Sequence, residues 1–146
     1  MIYTIGYQRL TPKRLAEFVA VLDAVLIDCR HKPVSRIAGF SGWGLAKQFG
    51  QRYRQRGHEL GGRGHTTPAG IDRLRLDQDR RTAILLCAEE APGDCHRHHD
   101  ICGPHFPGAV HIFRDELFTA GAPQDAIDAG PDAEYEICGD VADLFR

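Results

Sequence analysis

The chain has no apolar run that approaches the ~20 residues needed to cross a bilayer, which excludes a membrane-spanning helix. Its first residues carry neither a basic leader nor a long apolar stretch. Met1-Ile2-Tyr3-Thr4-Ile5-Gly6 reads as a buried strand rather than a secretion signal, so the expected location is the cytoplasm. No internal repeat is visible, Gly6 belongs to no G-x-G-x-x-G fingerprint, and Gly61-Gly62-Arg63-Gly64-His65 does not have the P-loop pattern. A C-x-x-C knuckle is also missing. The five cysteines at 29, 87, 95, 102 and 138 are an odd number. In a reducing compartment they read as catalytic, metal-binding or core thiols, not as a disulfide framework. With a formal net charge of −2, the whole molecule is no general attractor of nucleic acid.

What is present is ordinary in bulk and uneven in detail. A length of 146 residues fits one domain, and 42% hydrophobic with 26% charged residues suits a globular chain. Arginines crowd the middle, from Arg30 to Arg81, against Glu59, Asp72, Asp77 and Asp79. From Asp115 onward acids dominate, with Arg146 the only cation. A basic middle predicts an anion-binding face.

The pattern of apolar residues predicts strands at 2–5, 24–28, 82–87 and 109–113, with a short one at 57–60. Helices are expected over 12–22, 45–56 and 68–78, with Leu76 a candidate inward residue. A fourth helix is expected to begin at Cys95 behind an Asp94 cap. Strands alternating with helices imply a single three-layer α/β domain, with a mainly parallel sheet and helices on both faces. Residues 1–118 would form it. Residues 119–146 would be an acidic, loosely ordered extension packed on the same domain, its last dozen residues a short helix at most.

Ligands of such sheets bind at the carboxyl ends of the strands. That rule brings together Tyr7, Asp28-Cys29-Arg30, Glu59-Leu60-Gly61-Gly62 and Cys87-Ala88-Glu89. Asp28 and Glu89 are candidate acid–base groups, and Cys87 a candidate nucleophile. Tyr7, Arg30, Ser35, Arg36, His96 and Arg97 are candidate substrate-binding residues, as is Cys95 at its helix N-terminus; the arginines would clamp an anion bidentately. Phe40 or Trp43 could stack on a base. Each residue also has a structural alternative: core for the cysteines, loop folding for the aromatics, ion pairing for the charges. On a helix, Cys95, His99 and Cys102 would share a face and are the candidate metal ligands, although no cofactor is required by the sequence.

Thr4-Ile5-Gly6-Tyr7, Asp28-Cys29-Arg30 with Pro33, Ser35 and Arg36, Glu59-Leu60-Gly61-Gly62, Leu86-Cys87-Ala88-Glu89 and Cys95-His96-Arg97 occur in that order. Together they resemble the bacterial family catalogued as domain of unknown function 488 over residues 1 to about 100. The resemblance implies an α/β fold and a polar site at the matched positions, and brings no established activity. Cys29 stands where that family more usually has valine, which suggests a structural role for it. The His-rich helix and acidic tail beyond Arg97 are departures.

Three functions follow as expectations. The first is an enzyme acting on a phosphate-bearing nucleotide or nucleic acid. Arg30, Arg36 and Arg97 would hold the anion, and Asp28 with Glu89 would work at a glycosidic bond. The second is a cysteine-dependent, sulfur-transferase-like enzyme using Cys87 or Cys95. The third is a non-catalytic module that binds nucleic acid or a protein.

Overall fold

Two Thr-Pro pairs start the two longest helices. Thr11 Oγ1 accepts from Arg14 N at 3.1 Å, Thr67 Oγ1 accepts from Gly70 N at 3.0 Å, and the prolines fill first-turn positions that need no N–H. The computed structural model describes residues 1–121 and 137–146. In order the elements are β1 (Ile2–Gly6), α1 (Pro12–Val21), β2 (Val25–Asp28), α2 (Gly42–Phe49), β3 (Tyr53–Gln55) and α3 (Gly57–Leu60). There follow α4 (Pro68–Arg80), β4 (Ala83–Cys87), a π-helix (Arg97–Cys102), α5 (Gly103–His105), β5 (Val110–Phe113), β6 (Glu116–Thr119) and β7 (Ile137–Asp140).

The seven strands form one sheet in the order β3-β2-β4-β1-β5-β6-β7, parallel from β3 through β5 and antiparallel at β6 and β7. Alternate strand residues divide between two cores, as pleating requires. Val25, Ile27, Ala83, Leu85 and Cys87 meet Ile71 and Leu74 of α4 and Ile101 of the π-helix. Leu26, Ile84 and Leu86 meet Leu15, Phe18 and Val19 of α1 and Leu45 of α2. Helices therefore cover both faces, as the alternation of elements implies.

Several local expectations are overturned. The predicted helix over 45–56 is α2 followed by a 3-10 turn and β3, because Gly50 at φ +55° ends the helix. Residues 57–60 are a helical turn, not a strand. A Cβ on Gly57 would overlap the Arg30 carbonyl, so only glycine permits this approach. Leu76 is exposed, and Asp77 is buried instead, paired with Arg56 at 2.6 Å. Residues 109–113 do not hold the last strand, since β6 pairs with β5 and β7 with β6. No break falls at 118/119: β6 runs through it, and Val141, in a 3-10 turn over Val141–Phe145, joins the core beside α1. Of the loosely ordered extension expected over 119–146, residues 122–136 lie outside the described residues.

A buried polar chain ties the π-helix to the sheet. Arg97 Nε donates to Thr4 Oγ1 at 3.1 Å, Thr4 Oγ1 lies 2.7 Å from His111 Nδ1, and His111 Nε2 lies 3.0 Å from His98 Nδ1. Arginine can only donate, so the Thr4 hydroxyl is free to donate onward to Nδ1. His111 then carries its proton on Nε2 and is neutral. Burial, then the Arg97 charge, then His98 hold its pKa well below the ordinary 6.5. The sign follows from linkage: the unfolded chain takes up a proton that the folded chain refuses, so this term removes stability as pH falls below about 6.5. Between about pH 7 and about pH 5.5, wild type should lose about 1 kcal/mol more than His111→Phe. Urea denaturation of both at the two pH values measures it, and equal losses would sink the assignment.

Candidate functional site

β1 sends its connection to one side of the sheet and its neighbour β4 sends its own to the other, so their carboxyl ends flank a topological switch point. A cavity of about 600 Å³ opens there. Tyr7, Arg30, Cys87, Glu89 and His96 line it, and His31, Lys32, Arg63 and His65 add a basic rim. A second cavity of about 500 Å³, between α4 and the His99–His105 segment, gathers none of these residues.

Arg30 is the best-fixed cation in the site. Its Nε and Nη2 donate to the two Asp28 carboxylate oxygens at 2.8 and 2.6 Å, and its Cζ lies 5.0 Å from the Tyr7 ring centroid. Nη1 is buried without a hydrogen-bond partner. Asp28 is fully buried and also accepts from Tyr53 OH at 2.8 Å. It therefore holds the guanidinium in place and is not an accessible acid or base. Burial, then the Asp28 charge, raise the Tyr53 hydroxyl, keeping it a donor. Tyr7 packs on Phe40 with ring centroids 5.0 Å apart, so Phe40 is a core residue and not a platform for a base.

Glu89 is half-buried at the cavity floor, and its Oε2 accepts from Cys87 Sγ at 3.3 Å. Burial alone would raise its carboxyl. Its own backbone amide, the thiols of Cys95 and Cys87, and Arg97 outweigh burial and hold it below the usual range. Glu89 is therefore ionised at neutral pH.

The expected roles of Arg97 and Cys95 change. Arg97 is fully buried and spends its N–H groups on Thr4 Oγ1 and on the Glu89 and Glu90 carbonyls, at 2.6 and 2.8 Å for the two carbonyls. It buttresses the loop that carries Glu89 and does not face the cavity. Gly6 completes the fit, since a Cβ there would overlap the same Glu89 carbonyl. Cys95 does not open a helix: with φ −132° and ψ 141° it is extended between a 3-10 turn over Pro92–Asp94 and the π-helix. It sits just ahead of the helical segment, its carbonyl accepting from His98 N at 3.0 Å and its Sγ from Arg97 N at 3.5 Å, yet hydrogen bonding with Cys87 together with burial raises its thiol. Ser35 turns inward on its own loop, its Oγ accepting from Ile37 N and its N–H donating to Ser41 Oγ. Arg36 and Trp43 are exposed, and neither lines the cavity.

The metal-ligand set Cys95, His99 and Cys102 does not assemble. His99 Nε2 donates to the Gly93 carbonyl at 2.6 Å, and Cys102 is buried in the core below α4. Another cluster forms in its place. Cys87 Sγ and Cys95 Sγ lie 3.8 and 3.9 Å from His96 Nδ1. The ligand atoms of Cys87, Glu89 and Cys95 are all within 4.8 Å of one another, as are those of Cys29, Cys87 and His96. Reading along one helix could not find this set, because its members come from β4, the loop after it, and the connection to the π-helix. No family model, curated protein or solved structure matches the chain.

Proposed function

We propose that the chain is an enzyme acting on a phosphate-bearing nucleotide or nucleic-acid substrate, bound at the carboxyl edge of the sheet. One observation carries this reading: Arg30, locked by Asp28 through Nε and Nη2 and left with Nη1 unpartnered, lines a cavity rimmed by His31, Lys32, Arg63 and His65. A planar guanidinium with a spare donor suits a phosphate oxygen. Glu89 is the carboxylate available for chemistry. Being ionised, it suits the role of general base or nucleophile at a glycosidic carbon more than that of general acid. Asp28 contributes by positioning Arg30.

The probes are inorganic phosphate and adenosine 5′-monophosphate, with titration calorimetry for binding and base release for turnover. Arg63→Ala, at an exposed rim position, should weaken binding of both about tenfold and flatten its salt dependence, with the fold intact. Glu89→Gln should abolish base release and retain binding. Unchanged affinity in Arg63→Ala, or turnover in Glu89→Gln, would overturn the reading.

A second reading is cysteine-dependent catalysis, favoured because Cys87 lines the cavity between Glu89 and His96. Against it, hydrogen bonding with Cys29 and burial, opposed by Cys95, push the Cys87 thiol up to about 11. A thiol so raised is protonated at neutral pH and a poor nucleophile.

A further inference from the structure

We infer that Cys87, Cys95 and His96 bind a divalent metal ion of the zinc type at the floor of the cavity, with the fourth coordination position facing Glu89. The first support is spacing. A tetrahedral zinc centre with Zn–S of about 2.3 Å and Zn–N of about 2.0 Å sets its sulfur and nitrogen ligands about 3.5 Å apart. Here the two sulfurs stand 3.8 and 3.9 Å from His96 Nδ1, a few tenths of an ångström wider.

The second support is the orientation of the imidazole. His96 Nε2 lies 3.1 Å from the Cys29 carbonyl and 3.0 Å from the Leu60 carbonyl. Carbonyls only accept, so Nε2 carries the proton and Nδ1 is the nitrogen turned toward the sulfurs. A ring N–H held by backbone carbonyls while the other nitrogen faces the ligand set is the outer-shell arrangement of metal-binding histidines. Gly62 leaves room for it, since a Cβ there would stand 3.0 Å from the His96 ring.

The third support is charge. Buried Arg97 meets a hydroxyl and two carbonyls, with Cys95 Sγ 3.5 Å from its backbone N. Two thiolates on a dication are neutral together, so the metal adds no net charge to this interior. On binding, the protons on the two sulfurs leave to solvent, Nδ1 gives its lone pair, three S/N–metal bonds form, and nothing is oxidised. Cys29 is not a ligand: it is fully buried, and its Sγ donates to the Leu86 carbonyl at 3.2 Å. This inference does not depend on which anion fills the cavity.

Elemental analysis of the full chain, purified under reducing conditions without chelator and dialysed against zinc, is the test. About one zinc per chain is expected in wild type, Cys29→Ala, His99→Ala and Cys102→Ser. Less than about a tenth is expected in Cys87→Ser and Cys95→Ser. Because a variant could fail to fold, wild type loaded with Co²⁺ gives a second readout. It should show the ligand-field bands of a tetrahedral ion together with thiolate charge-transfer absorption. Wild type without metal, zinc retained in Cys95→Ser, or an octahedral cobalt spectrum without thiolate bands would overturn the inference. A Cys87–Cys95 disulfide in protein purified without reductant, with no zinc bound, would overturn it as well.

Discussion

Replacing Arg97 with methionine should cost about 4 kcal/mol of folding stability, a large share of the total for a domain of this size. The guanidinium is fully buried and gives hydrogen bonds to Thr4 Oγ1 and to the Glu89 and Glu90 carbonyls. Methionine fills much of the volume and donates to none of them, leaving three buried acceptors short of a partner at about 1–3 kcal/mol for each group left unsatisfied. Lysine keeps the charge but cannot span a hydroxyl and two carbonyls in one plane, so Arg97→Lys should fall well short of rescue. Urea denaturation measures both variants. A loss under about 1 kcal/mol in Arg97→Met would mean that the loop after β4 holds its shape without the buttress.

Asp28→Asn should be nearly as damaging, and the way it fails separates two roles for the residue. The carboxylate accepts from Arg30 Nε and Nη2, from Arg30 N at 3.2 Å and from Tyr53 OH. An amide turns one acceptor into a donor that faces other donors and leaves a buried guanidinium uncompensated, at about 3–5 kcal/mol. Stability and phosphate binding should therefore fall together, the first by denaturation and the second by calorimetry. An acid–base catalyst at this position would behave otherwise, losing turnover with stability and affinity preserved.

The sequence was most informative where a signal is local. Thr-Pro starts, β-branched runs and the unbroken apolar stretch ending at Cys87 are each dictated within a few residues, and the parallel strands β1, β2 and β4 follow from them. Elements fixed from afar were harder to read. β6 and β7 are four residues each, and they exist because β5 offers an edge to which they can add. The same distinction holds in the site. Glu89, Arg30 and Cys87 reach the cavity because a strand end carries them there, which the alternation of elements makes visible. Arg97 was misread because a charge beside His96 resembles an anion ligand. Its burial is decided by Thr4, 93 residues earlier. The thiol–imidazole cluster escaped for a related reason: its three members share no helical face, and only the turn at 92–96 brings Cys95 back over Cys87.

The strand order has a consequence for how the molecule reaches its native state. β4 lies between β2 and β1, pairing with both along Ala83–Leu86, so the two earliest strands never touch. A growing chain that ends at α4 has β1, β2 and β3; β3 pairs with β2, but β1 and β2 still lack the strand they share, and Tyr7 and Arg30 have nothing to bring them together. Closing those long loops costs entropy that is recovered only when the central strand arrives. The cavity is therefore complete only once β4 is in place, since Cys87, Glu89 and His96 in its lining all come from residues 83–97.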